Sequence, residues 1–362
     1  MNNAETLVRL FQEQVIRARR GSLFDKVFPG KPPGFSFDQV EGMLLGAAIG
    51  DALGGPTESM RPSERMSQYG EITDYLPTPF SDEVKGFPSD DTQLTFWTLE
   101  KLLECNGLIP SELALRFTRE RIFGIGGTVR RFIKNMKAGV SWEHAAPDSA
   151  GNGALMRISP TTIPYLKTGG PGIMVDTALC AMITHNNDLS ISACMLFTYL
   201  LWQLLDMNRN PSPEWWTSQI DYAKDIALGE AYTVRGGAYA GTRVQPWDFI
   251  QEQLGSAMER NLSVREAAAM WWSGAYLLET VPCALYIMMR HGSDPEQAVI
   301  RAVNDTKDND TIASIVGAMV GALHGADAFP KRWIQGLSGR TTHDDDGRIF
   351  ELINLAKTKW RG

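Results

Sequence analysis

Asp308-Asn309-Asp310-Thr311-Ile312-Ala313-Ser314-Ile315-Val316-Gly317-Ala318-Met319-Val320-Gly321-Ala322-Leu323-His324-Gly325 reads as an acidic turn running into a long apolar helix. The same arrangement recurs far upstream. Ser89-Asp90-Asp91-Thr92 precedes a second predicted helix that runs to Cys105. Leu189–Leu205, Arg265–Leu278 and Val281–Arg290 are further long apolar segments rich in Leu, Ala and Met, and Met43–Ile49 is a shorter one. Few runs alternate Val, Ile and Thr at period two, so strand signals are sparse. The pattern predicts an all-α globule with long irregular connections, and long loops in such a globule are often functional.

Serine, threonine and aspartate are favoured at helix N-termini, so capping explains part of each acidic cluster. A cap uses one side chain, whereas each cluster offers two carboxylates and a hydroxyl. Adjacent carboxylates repel unless something positive lies between them. A hard divalent cation with oxygen ligands meets that need, and two facing clusters would hold two ions. Three glycine-rich stretches accompany them. Gly50-Asp51-Ala52-Leu53-Gly54-Gly55-Pro56-Thr57-Glu58 follows the Met43–Ile49 helix and puts Glu58 on a loop. Gly124-Ile125-Gly126-Gly127-Thr128 opens a helix, where backbone N–H groups can cradle phosphate, although a plain turn reads equally well. Ser149-Ala150-Gly151-Asn152-Gly153 carries polar groups suited to sugar hydroxyls.

The 362 residues carry a formal net charge of −7, which gives no general footprint for nucleic acid. Cys105, Cys180, Cys194 and Cys283 form no CxxC pair and are expected as reduced thiols of a cytoplasmic protein with no zinc site. No signal peptide opens the chain, and Leu189–Leu205 reads as a buried helix rather than a membrane span. Residues 1–31 differ in character, with six cations against three acids. Leu7, Leu10, Phe11 and Val15 fall at helical spacing there, and Pro29-Gly30-Lys31-Pro32-Pro33-Gly34 breaks the chain after them. An amphipathic helix with a loose arm over 1–37, tethered to one catalytic domain over 38–362, is the expected organisation.

Taken together, GMLLGAAIGDALGGPTE, SDDT, GNGALMR, ITHNND and DNDTIASIVGAMVGALHG, in that order between Val40 and Leu355, resemble the ADP-ribosylglycohydrolase family of the dinitrogenase-reductase-activating type. The resemblance implies an all-α orthogonal helical bundle with two Mg2+ or Mn2+ ions. It implies Ser89, Asp90, Asp91, Asp308, Asp310 and Thr311 as metal ligands. It places Glu58 near the scissile bond, with Glu58 and Asp310 as catalytic candidates, and either Glu58 or a metal-bound aspartate as the group that handles the proton or orients the ribose. Gly124, Gly126, Gly127 and Thr128 match the family's pyrophosphate loop, and Ser149, Gly151 and Asn152 its ribose and phosphate loop. His185 matches a histidine at the rim of the ligand cleft. The family's two glycines before the second acidic motif are Thr306 and Lys307 here.

The N-terminal arm is similar to an extension on immunity-type ADP-ribosylarginine hydrolases. That likeness implies hydrolysis of the bond between ADP-ribose and protein arginine, with the arm over 1–37 blocking a cognate ADP-ribosyltransferase toxin. On this reading, deleting 1–36 leaves hydrolysis intact. A binding-only inhibitor with an idle site, or a hydrolase of another ADP-ribose linkage, is the alternative. His343-Asp344 is the chain's one His-Asp pair, with no second histidine set to match it, which argues against an HD-type phosphohydrolase. Residues 206–264 carry no interpretable motif.

Overall fold

The computed structural model describes residues 2–77 and 84–360. Among them the chain forms eighteen α-helices, and its β structure is one ribbon of two residues a strand, Tyr232–Thr233 against Arg243–Val244. The all-α class expected from the sequence is the class observed. The Asp188–Leu204 helix runs through the core, buried at every position from Asp188 to Trp202. No helix among the described residues is long and apolar enough to cross a membrane.

Two helices organise the centre. Asp38–Gly54 and Asn309–His324 run antiparallel along a seam of small residues. A Cβ added at Gly46 would lie 2.1 Å from the Gly317 carbonyl oxygen, and one at Gly50 would lie 2.0 Å from that of Ala313. From the other side, a Cβ at Gly321 would lie 2.0 Å from the Gly42 oxygen. The four-residue spacing of Gly42, Gly46 and Gly50 puts these positions on one helix face, so the two backbones touch. The seam ends at Gly54, where a Cβ would lie 2.4 Å from Asp310 Cα. The C-terminal end of one helix is thereby fixed against the N-terminal acidic turn of the other.

The sequence places one helix over Arg265–Leu278, but the chain breaks at its centre. One helix covers Val264–Trp271 and the next Leu277–His291. Trp272 and Ser273 take left-handed backbone, with φ of 77° and 46°. Such a conformation is costly for a bulky residue and persists only where neighbours hold it. Here the Gly274 N–H donates to Glu279 Oε2 at 3.1 Å, and Thr280 Oγ1 donates to the Gly274 carbonyl at 2.9 Å. The local apolar pattern was continuous, and tertiary hydrogen bonds overrode it.

The N-terminal segment is not the loose arm expected. Asn3–Gln12 is a helix with a capping box made by Asn2 and Glu5, as its amphipathic spacing predicts. Its apolar face lies on the body: Leu7 and Leu10 are buried, as are Leu23, Phe24 and Phe28 beyond it. The segment's cations are also engaged. Arg17 pairs with Asp148 at 3.2 Å and Glu230 at 2.7 Å, and Lys31 Nζ donates to the Trp202 carbonyl at 2.7 Å.

Candidate active site

Asp51 stands alone as a charge inside the glycine-rich end of the Asp38–Gly54 helix, and it is fully buried. Its Oδ2 accepts from Ser89 N–H at 2.9 Å, Thr92 N–H at 3.0 Å and Thr92 Oγ1 at 2.5 Å. One carboxylate thus caps the Asp90–Cys105 helix from across the molecule and fixes the first acidic cluster to the seam. The glycine-rich motif alone gives Asp51 no role. Its isolation among small apolar residues is the signal that would have found it, since a lone buried charge needs partners.

The two acidic clusters face each other as expected. Carboxylate oxygens of Asp51, Asp91 and Asp310 lie within 4.8 Å of one another, and so do those of Glu58, Asp308 and Asp310. The two triplets share Asp310. Thr311 Oγ1 donates to Asp91 Oδ2 at 3.2 Å, which ties the second cluster to the first. Asp90, Asp91, Asp308, Asp310, Thr311 and Glu58 all line one pocket. Ser89 does not line it. Its hydroxyl accepts from Asp91 N–H at 3.3 Å and serves as the helix cap.

The remaining expected residues gather around the same opening. Gly124, Gly126, Gly127 and Thr128 line the pocket with Gly151, Asn152 and His185. At Gly126 and Gly127 an added Cβ would meet nothing within 4 Å, so this turn faces open space at the start of the Gly127–Lys137 helix. Asn152 Nδ2 donates to Asp308 Oδ2 at 2.6 Å and joins the 149–153 loop to the acidic wall. Ser149 stands in a neighbouring cavity, where its hydroxyl is 2.9 Å from that of Thr128. His185 is buried in the wall rather than placed at the rim. Its Nδ1 is 2.9 Å from Thr184 Oγ1, a hydroxyl that also accepts from buried Arg157. Burial and the Arg157 charge lower this imidazole to about 3, so it is neutral at pH 7.

The electrostatics of the acidic wall are strained. Burial raises Asp90 to about 7, with the charge of Asp51 adding to it. Burial likewise raises Asp308 to about 7 against the stabilising hydrogen bond from Asn152. Asp91 and Asp310 are pushed well above the ordinary carboxylate range by burial, with the charge of Asp51 adding to it at Asp91 and that of Asp308 at Asp310. Glu58 opens to solvent at the mouth, yet the surrounding protein and Asp51 raise it too. Asp91 Oδ1 is buried without a hydrogen-bond partner among the described residues. Oxygen-only donors, crowded and short of positive partners, fit a hard divalent cation.

A second cavity of about 570 Å³ adjoins the pocket across Gly127 and Thr128. Tyr232, Arg235, Tyr276 and Asn187 line it, with the Arg235 guanidinium stacked 4.0 Å from the Tyr276 ring centre. Tyr232 and Arg235 come from the 206–264 region, which is therefore a wall of the site. No local motif marks them: Tyr232 lies on a two-residue strand and Arg235 in the loop that follows it.

Comparison with known proteins agrees with this arrangement. The family model described as ADP-ribosylglycohydrolase matches residues 33–359. The chain is 25% identical to the ADP-ribosyl-[dinitrogen reductase] glycohydrolase of Rhodospirillum rubrum, over 88% of this chain and 97% of that one. It is 25% identical to the ADP-ribosylarginine hydrolase Tri1 of Serratia proteamaculans strain 568, over 84% of this chain and 77% of that one. A solved structure titled as an ADP-ribosylglycohydrolase-related protein complex shares the fold, with a TM-score of 0.64 at 24% identity, covering 88% of this chain and 97% of that chain. A match that spans nearly the whole chain, with the facing acidic turns at its centre, shows that the protein belongs to the ADP-ribosylglycohydrolase family.

Proposed function

We propose that this chain hydrolyses the N-glycosidic bond between ADP-ribose and a protein arginine. The observation that carries the reading is the pair of carboxylate triplets sharing Asp310 at the floor of a pocket that opens past Glu58. The name of the Serratia relative supports arginine as the linkage. Magnesium suits a site built from oxygen donors alone, and two facing clusters suit two ions, held by Asp90, Asp91, Asp308, Asp310 and Thr311 with Ser89 beside them and Glu58 at the mouth. When bound, such ions supply Lewis acidity and lower the pKa of water.

The chain's own groups account for the rest. Asn152 orients Asp308, and the open N–H groups of Gly126 and Gly127 face the place of the pyrophosphate. Tyr232, Tyr276 and Arg235 offer stacking surfaces for the adenosine. The C1–N bond breaks, water supplies the oxygen that replaces it on C1, and a proton passes to the departing arginine nitrogen. Glu58, raised and at the mouth, is placed to deliver that proton. His185, neutral and buried, packs against Gly153 and shapes the wall.

The relatives support a hydrolase more than an inhibitor. A toxin partner held through residues 1–37 finds little support, since the apolar face and several cations of that segment are spent on the body. The unpaired thiols agree with a cytoplasmic setting. The test follows label release from a target carrying arginine-linked ADP-ribose, with magnesium and with chelator, beside a serine-linked counterpart. Magnesium-dependent release from arginine is the expected result. Release from serine alone would overturn the linkage.

A second expectation concerns stability. Carboxylates raised in the folded state hold protons that the unfolded chain has released, so the metal-free fold is favoured below the ordinary carboxylate range, near 4. That advantage is lost as pH rises through about 7, the value for Asp90 and Asp308. A cation competes with those protons. The rise in Tm on adding magnesium should therefore be larger at pH 8 than at pH 5.5. Equal shifts at both would show that the ion binds elsewhere.

A further inference from the structure

A groove of about 370 Å³ lies beside the active site, on the side of Glu58. Arg61 and the first turn of the Pro62–Tyr69 helix form one bank, and Arg265 and Trp272 form the other. Lys307 closes the end nearest the acidic wall. The groove neighbours the reacting region along the chain. Arg61 follows Glu58 by three residues, Lys307 directly precedes Asp308, and the Ser59 N–H donates to the Lys307 carbonyl at 3.1 Å.

The walls are mostly apolar, and of the four charged residues that line them three are cations and one, Asp305, is an acid. Among the described residues no ion pair engages Arg61, Arg265 or Lys307, and the neighbouring carboxylate of Asp305 is taken by Arg301 at 3.2 Å. Arg61 caps the N-terminus of one helix, and Arg265 sits in the first turn of another. Cations are disfavoured at those positive ends, so their presence works against the helices they start. Three unpaired cations here are conspicuous in a chain with a net charge of −7.

Trp272 adds an apolar platform. It is 38% exposed, although its backbone is strained with φ of 77°. Its ring is seated on Gly236, where an added Cβ would lie 2.3 Å from Cγ, and Lys307 Nζ stands 4.2 Å from the ring centre. A large indole left partly open beside cations has the character of an anchoring side chain.

We propose that this groove seats the polypeptide carrying the ADP-ribosyl group, and that it selects modified residues flanked by aspartate or glutamate and a bulky apolar side chain. The proposal rests on the hydrolase reading above. The acidic flanks meet Arg61, Arg265 and Lys307, and the apolar side chain lies on Trp272. Single-stranded nucleic acid is the competing anion. The groove favours a peptide, since its walls accept one apolar side chain beside scattered charges, with no row of cations to track a backbone.

The test uses the full chain and the double variant Arg61→Ala/Arg265→Ala, neither residue being part of the carboxylate or glycine-loop machinery. Two peptides carry the same ADP-ribosylated arginine, one flanked by glutamates and leucine, the other by lysines. Free ADP-ribosylarginine is the third substrate. The wild-type chain should cleave the acidic peptide with a KM about fivefold to tenfold lower than the basic one, at similar kcat. The double variant should lose that preference and cleave free ADP-ribosylarginine unchanged. Anisotropy of the dye-labelled unmodified acidic peptide should show the same dependence on Arg61 and Arg265, weakened by salt. Equal KM for both peptides, or a preference that survives the double substitution, would overturn the proposal. So would Arg61-dependent binding of an oligonucleotide with none of the acidic peptide. Inactivity on free ADP-ribosylarginine alongside intact peptide binding would defeat the arginine linkage and leave the groove standing.

Discussion

Asp310→Ala should lower hydrolysis of ADP-ribosylarginine by on the order of a thousandfold or more while leaving the fold intact. Asp310 is the one carboxylate common to both triplets, so its loss removes an oxygen from each at once. Structural collapse is not expected. The side chain sits 3% exposed in a crowd of raised carboxylates, and removing one of them relieves repulsion. The lost hydrogen bond is one from Thr311 N–H, at 2.8 Å, within the first turn of the helix. The seam is untouched, because alanine is smaller than aspartate and Gly54 packs against the backbone of residue 310. Activity and melting curves taken with and without magnesium check both halves. Near-normal turnover would remove Asp310 from the reacting centre. A Tm at or above that of wild type, together with a lost magnesium response, is the combined signature.

The second large effect concerns the N-terminus and reverses what the sequence suggests. Deleting residues 1–36 should yield aggregated or molten protein. Leu7, Leu10, Leu23, Phe24 and Phe28 are each at most 5% exposed. At about 1.5–3 kcal/mol per buried side chain, their burial contributes on the order of 10 kcal/mol, comparable with the whole stability of an ordinary domain. The deletion would also uncover their partners on the body. It would break the contact beside His185, where Asn186 Nδ2 donates to the Val15 carbonyl at 2.7 Å and Asn186 Oδ1 accepts from Arg17 N–H at 3.0 Å. Soluble yield and near-UV circular dichroism of the truncation check this. A cooperative, active truncation would mean that the segment is detachable and would restore its case as a partner-binding element.

These two cases mark where the sequence was legible. Paired carboxylates before apolar helices are a local signal, and nothing but mutual approach could satisfy them, so the acidic wall could be read at a distance. The helical spacing of Leu7, Leu10, Phe11 and Val15 runs past the observed helix, which ends at Gln12, and an apolar face of that kind also demands a cover, which here is the body of the protein. Asp51 and Glu279 were missed for a different reason. Each acts on a segment that its own neighbourhood does not name: Asp51 caps a helix beginning at Asp90, and Glu279 holds the Trp272–Gly274 break. Ser89 shows how a cap and a ligand call for the same residue types: its hydroxyl accepts from Asp91 N–H and also donates to Asp91 Oδ2 at 3.4 Å, inside the acidic cluster.

The glycine seam sets a tolerance on the whole machine. Gly46 and Gly317, like Gly42 and Gly321, meet main chain to main chain, so the span between Asp51 and Asp310 is gauged by peptide groups and not by the size of core side chains. Core residues elsewhere can drift, and the gauge keeps its setting. The loop bearing Arg61 and the helix bearing Arg265 stand outside it. Variation can accumulate there and redirect the choice of target without recalibrating the jaws that do the cutting.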